Sequence, residues 1–92
     1  MSVTIRIPTV MQRHTDGQAE VQAQGATVRE ALDSLTAQHK AAREQLFNEA
    51  GELHRFVVVA VNGEAICFKQ KLDTPIHSGD DVAIYPAVSS RY

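Results

Sequence analysis

Arg55-Phe56-Val57-Val58-Val59-Ala60-Val61, followed at once by Asn62-Gly63, is the stretch on which the fold turns. It is the longest apolar run in the chain and contains four valines. β-Branched side chains pack well on a pleated surface, and a strand apolar on both faces usually lies inside a sheet. The reading is therefore a central strand. Asn62-Gly63 then marks a tight hairpin, because both central positions of a type I′ turn need positive φ. The return strand is expected over residues 65–68.

Working outward toward the N-terminus, Val3, Ile5 and Ile7 alternate with Thr4 and Arg6, the period of a strand with one buried face. Pro8 ends it, since proline cannot donate to the ladder. A polar stretch runs through Asp16-Gly17, and Ala19, Val21 and Ala23 alternate again, completing an opening hairpin. Between the hairpin and the central strand lies a helix. Thr27-Val28-Arg29-Glu30 fits a capping box, and Val28, Ala31, Leu32, Leu35 and His39 follow on one face. Residues 41–47 suit a further helical turn that folds Leu46 and Phe47 back on the core; Gly51 breaks it. Toward the C-terminus, Leu72 and Ile76 punctuate a polar loop, Ser78-Gly79-Asp80-Asp81 turns tightly, and Val82 to Tyr85 form the last strand before Pro86.

The order is strand, strand, helix, strand, strand, strand. That predicts an α+β fold, with four to five strands in a mixed sheet packed on one main helix. Its core face is expected to hold Val3, Ile5, Ile7, Leu32, Leu35, Val57, Val59, Val61, Val82 and Ile84. One helix covers only one side of such a sheet, so Phe56, Val58 and Ala60 point to the other side. With Tyr85 they make a candidate partner-binding strip, unless a loop or the second helical turn covers it.

Composition narrows the function. At 92 residues the chain is expected to be one domain, 1–92, too small to enclose a deep substrate cavity. Hydrophobic residues at 43% and charged residues at 22% are ordinary for a globular protein, so disorder is not expected. A net charge of −2, with scattered basic residues, argues against nucleic-acid binding. No apolar run approaches a membrane span, and Met-Ser-Val-Thr-Ile-Arg-Ile-Pro is too short in apolar residues for a signal peptide, so a cytoplasmic protein is expected. Cys67 is the only cysteine; no internal disulfide is possible, and a lone strand cysteine reads first as a small hydrophobe. His14, His39, His54 and His77 lack ligand spacing, so no metal or cofactor is expected. Asp80 and Asp81 read as turn residues, and Ser89 and Ser90 have no neighbouring base. Nothing reads as an active site; an enzyme is not expected.

Several stretches resemble the β-grasp, ubiquitin-like sulfur carriers of the MoaD/ThiS type, and within them the carrier of actinobacterial cysteine synthesis. They are Val3-Thr4-Ile5-Arg6-Ile7-Pro8-Thr9, Leu53-His54-Arg55-Phe56-Val57, Val61-Asn62-Gly63-Glu64, and above all the run from Leu72 through Gly79-Asp80-Asp81-Val82-Ala83-Ile84-Tyr85-Pro86 to Val88. The resemblance covers nearly the whole chain. It implies a carrier whose C-terminal Gly-Gly is adenylated by an E1-like enzyme with ATP and then converted to a thiocarboxylate. Glycine suits such a tail because only a residue without Cβ lets the backbone approach a nucleotide closely in a narrow channel. Here the corresponding stretch reads Pro86-Ala87-Val88-Ser89-Ser90-Arg91-Tyr92, the family's glycines fall on Ser90 and Arg91, and Gly-Gly occurs nowhere in the chain. The resemblance thus implies a functional tail of Ser89, Ser90, Arg91 and Tyr92. It also implies a partner that is an E1-like adenylating enzyme or a sulfur-transfer or synthase protein. The rival is a β-grasp interaction or regulatory module that has lost thiocarboxylate chemistry.

Overall fold

A computed structural model describes residues 2–54, 57–66 and 69–86. Five strands form one sheet: β1 (Ser2–Arg6), β2 (Glu20–Gln24), β3 (Val57–Val61), β4 (Glu64–Ala65) and β5 (Asp81–Pro86), in the order β2-β1-β5-β3-β4. All neighbours are antiparallel except β1 and β5, which run parallel with Arg6 opposite Ala83. This is the mixed β-grasp sheet that the resemblance implies. The helix α1 (Val28–Gln38) crosses one face.

All ten residues expected in the core are buried, as are Val21 and Ala23 on β2. Period-2 alternation sends Val3, Ile5, Val57, Val59, Val61, Val82 and Ile84 to the side where Val28, Ala31, Leu32 and Leu35 wait. The capping box forms with a shifted partner. Thr27 Oγ1 accepts the Glu30 N–H at 3.3 Å, while the Glu30 carboxylate accepts the N–H of Ala26, one residue before the cap, at 2.8 Å. Asn62 and Gly63 have φ of 51° and 87°, as the hairpin reading requires. Residues 41–47 turn as expected: a 3-10 turn (Lys40–Ala42) leads into α2 (Arg43–Leu46), with Leu46 and Phe47 buried and the Arg43 guanidinium 5.6 Å from the Phe47 ring centre.

Two expectations are corrected. β5, not β3, occupies the centre of the sheet. It pairs with β1 along one edge and with β3 along the other, and Val82 and Ile84 alternate with Ala83, which leaves Val82 and Ile84 buried on the helix side. The return strand is Glu64–Ala65, shorter than 65–68: Ile66 turns inward and is buried, and its carbonyl accepts the Lys69 N–H at 2.9 Å. Between β1 and β2 the chain also makes a 3-10 turn (Thr9–His14), anchored by buried Met11 and by Thr15, which is fully buried. The Thr15 hydroxyl lies 2.9 Å from the Gln18 carbonyl and donates toward it.

Candidate docking face and tail root

The face of the sheet opposite α1 divides into two halves. Over β2 and β1 it is polar: the Gln22 side-chain amide donates to Thr4 Oγ1 at 2.8 Å, and Ser2 Oγ donates to Gln22 Oε1 at 3.3 Å. Over β5 and β3 it is apolar. Val58 lies directly opposite Tyr85 and Ala60 directly opposite Ala83, so the four form one cross-strand block. Tyr85 is 52% exposed and Val58 is half-buried. Ala60 is only 5% exposed, which corrects its place as a contact residue. It is flanked in register by Ala83 and Ala65, and a methyl is shorter than the Val58 and Tyr85 side chains beside it, so we treat it as the floor of the block. Arg6 Nε meets Asp81 Oδ1 at 2.9 Å at the border of the two halves. Both side chains are well exposed, so this pair marks a charged rim more than it stabilises the sheet.

The tail leaves from this block. β5 ends at Pro86, one residue past Tyr85, and its parallel pairing with β1 ends at Arg6 opposite Ala83. Phe56, and the tail residues Ser89, Ser90, Arg91 and Tyr92, lie outside the described residues, as does Cys67. Val58 and Tyr85 lie on the side away from the helix, where the alternation in the sequence put them. Sequence reasoning missed the Arg6–Asp81 rim, because that contact needs a parallel register between distant segments.

The opposite end of the sheet is tied by Asp80, whose carboxylate accepts the His77 backbone N–H at 2.7 Å and the Asn62 side-chain amide at 3.2 Å. Those hydrogen bonds, the His77 one first, hold its carboxyl below the ordinary carboxylate value. A cleft of about 670 Å³ runs along the outer side of β3 toward residues 70–73. Its charges, Arg29, Glu52, Lys71 and Asp73, alternate in sign, and among the described residues that line it there is no Ser, Thr, Cys or His side chain. Among the described residues, no cluster of three His, Cys, Asp or Glu side chains could hold a metal. No helix among them is long and apolar enough to cross a membrane.

A mixed five-stranded sheet clasping one main helix, with an apolar corner at the C-terminal end of its last strand, defines a ubiquitin-like β-grasp protein. Residues 5–89 match the ThiS family, and the chain belongs to it. The chain is 42% identical over 91 residues to the sulfur carrier protein CysO of Mycobacterium tuberculosis, covering 97% of this chain and 98% of that one. Among solved structures, it is similar to that of the BexX/CysO complex of Amycolatopsis orientalis, with a TM-score of 0.88 and 41% identity over 94% of this chain and 96% of that one. The crystal structure of M. tuberculosis CysO gives a TM-score of 0.86 and 42% identity over 94% and 99%.

Proposed function

We propose that this protein is a sulfur carrier of the MoaD/ThiS type, a single cytoplasmic domain that is itself not an enzyme and presents its tail to a partner. One observation carries this reading: the last strand runs from an exposed apolar corner, Tyr85 against Val58, directly into the tail. A partner that grips the corner therefore receives the tail at a fixed point. In this reading an E1-like partner joins the tail carboxylate to the adenylate of ATP, releasing pyrophosphate. Sulfide sulfur then displaces AMP and leaves a thiocarboxylate. The domain's own part is recognition, with Val58 and Tyr85 as contacts, Ala60 as their floor and Arg6–Asp81 as rim. Likeness to CysO, and the crystallised pairing of a CysO with BexX, support a role in sulfur transfer and a protein partner.

The alternative is an interaction module without carrier chemistry, and the sequence Ser89-Ser90-Arg91-Tyr92 in place of glycines favours it. Intact-protein mass spectrometry after co-expression with the native sulfur-activating enzymes separates the two. A carrier gains the oxygen-to-sulfur mass difference within residues 87–92. An unchanged mass, together with a gain in a variant carrying Ser90→Gly and Arg91→Gly and lacking Tyr92, assigns the protein to the module.

A further inference from the structure

We infer that Asn62-Gly63 is a latent self-modification site, a deamidating pair restrained by a hydrogen-bonded clasp, and that its conversion loosens the seam between β3 and β5. The inference is independent of the tail-presenting reading. Deamidation needs a nucleophile beside an electrophile, and this dipeptide carries both: the Gly63 backbone nitrogen and the Asn62 side-chain amide carbon. Gly63 has no Cβ to hinder the approach, and a Cβ built there would meet nothing within 4 Å. Both residues are exposed, so water reaches them. In the first step the Gly63 nitrogen bonds to Asn62 Cγ and the Cγ–Nδ2 bond breaks. Ammonia leaves, carrying the proton that the Gly63 nitrogen gives up. Water then opens the resulting succinimide at either carbonyl, giving aspartate or isoaspartate.

The clasp opposes this reaction. Asn62 is bonded three times to the residues where β5 begins. Its backbone N–H donates to the Asp81 carbonyl at 2.7 Å, and its side-chain oxygen accepts the Asp81 N–H at 3.0 Å. Its amide nitrogen donates to Asp80 Oδ1 at 3.2 Å. Attack turns Cγ tetrahedral and moves that oxygen and nitrogen, so it strains both side-chain bonds and runs faster once the clasp opens. Conversion to aspartate then removes the donor and leaves a carboxylate facing Asp80. The charged groups around it are Asp81, engaged by Arg6 at 2.9 Å, and Glu64, engaged by Lys69 at 2.8 Å. His77 Nδ1 also stands 3.8 Å from Asp80, with most of its side chain in water. The nearby cations thus already face carboxylates, and two carboxylates in contact repel while both are ionised.

The full chain, held in mildly alkaline buffer, is followed by peptide mass spectrometry for the exchange of ammonia for water. Asn62 should convert before Asn48, where Glu49 hinders the same attack. Asp80→Ala should raise the rate about fivefold, the change in opening expected when one modest hydrogen bond is lost. Val21→Ala, which weakens the buried packing of β2 at the opposite edge of the sheet, should leave the rate near the parent's. Asn62→Asp reproduces one product. It should melt below the parent near neutral pH, and the gap should narrow on acidification, because protonating either carboxyl ends the repulsion. Any of four results overturns the inference: Asn48 converting first, no conversion at Asn62 even in Asp80→Ala, equal acceleration by Val21→Ala, or an Asn62→Asp variant as stable as the parent at neutral pH.

Discussion

At Gly25 the backbone leaves β2 and turns into α1 at very close quarters. A Cβ built there would meet the Glu30 Cβ at 2.6 Å and the Ala31 backbone nitrogen at 2.8 Å. Backbone cannot swing aside as a flexible side chain can, so Gly25→Ala should destabilise the fold by about 1–3 kcal/mol, the usual cost of overpacking, read from urea unfolding. Nothing in the sequence around Gly25 announces this, because the clash arises only once the helix is docked. Asn62-Gly63 is the opposite case: its positive φ values were legible from two letters, since the requirement is local. Asp80 adds a pH dependence. Its carboxyl is held below its ordinary value in the folded protein, so its contribution is present above about pH 4 and is lost as pH falls through the depressed value. Thermal melts of Asp80→Ala against the parent should therefore show a modest deficit at pH 6 that shrinks toward pH 3. A deficit that stays constant with pH would mean the carboxylate's charge plays no part.

The helix shows how local and tertiary signals divide an element. Its start was legible because Thr27 and Glu30 satisfy orphan backbone donors within one turn, and its buried face was legible from spacing. Thr27→Ala removes a cap and should cost about 1 kcal/mol, seen as a lower urea midpoint with an unchanged slope. The helix also does something that spacing could not reveal. Ser34 Oγ accepts the Gln24 N–H at 3.2 Å, and the Gln38 amide donates to the Gln22 carbonyl at 2.9 Å. Two residues four apart on α1 thus occupy the outer edge of β2, which would otherwise invite pairing with another chain. Shortening of the return strand was equally invisible, because Ile66 looks like a strand residue until the core claims it. Elements were found where their reasons lay within a few residues; their ends were missed where the reason lay elsewhere in the fold.

For the molecule as a whole, the sequence supported the layer arrangement and the core face but put the wrong strand at the centre. Apolarity on both sides of 57–61 looked like centrality, whereas the parallel β1–β5 pairing joins segments more than seventy residues apart and has no local signature. That same pairing assembles the candidate site, bringing the Arg6 rim, the Tyr85 corner and the tail root together. Consequently the side on which the candidate residues of β3 and β5 lie could be read from alternation, but their different burial, Val58 half-buried and Ala60 buried, could not. That difference makes a sharp contrast testable. Val58 is half-buried opposite an exposed tyrosine, so Val58→Glu can turn its carboxylate to water; the melting temperature should hold within a few degrees. Ala60 lies buried between Ala83 and Ala65, so Ala60→Glu must either bury a charge or spread the strands, and a loss of several kcal/mol is expected. On the docking reading, Val58→Glu should raise the carrier concentration needed for half-maximal adenylation by roughly tenfold, the cost of losing about one hydrophobic contact. The rate at saturation should be unchanged, since Val58 binds the partner equally before and during reaction at the distant tail. An equal fall in both quantities would place Val58 in the chemistry instead of the grip, and no change in either would move the docking surface off this face altogether.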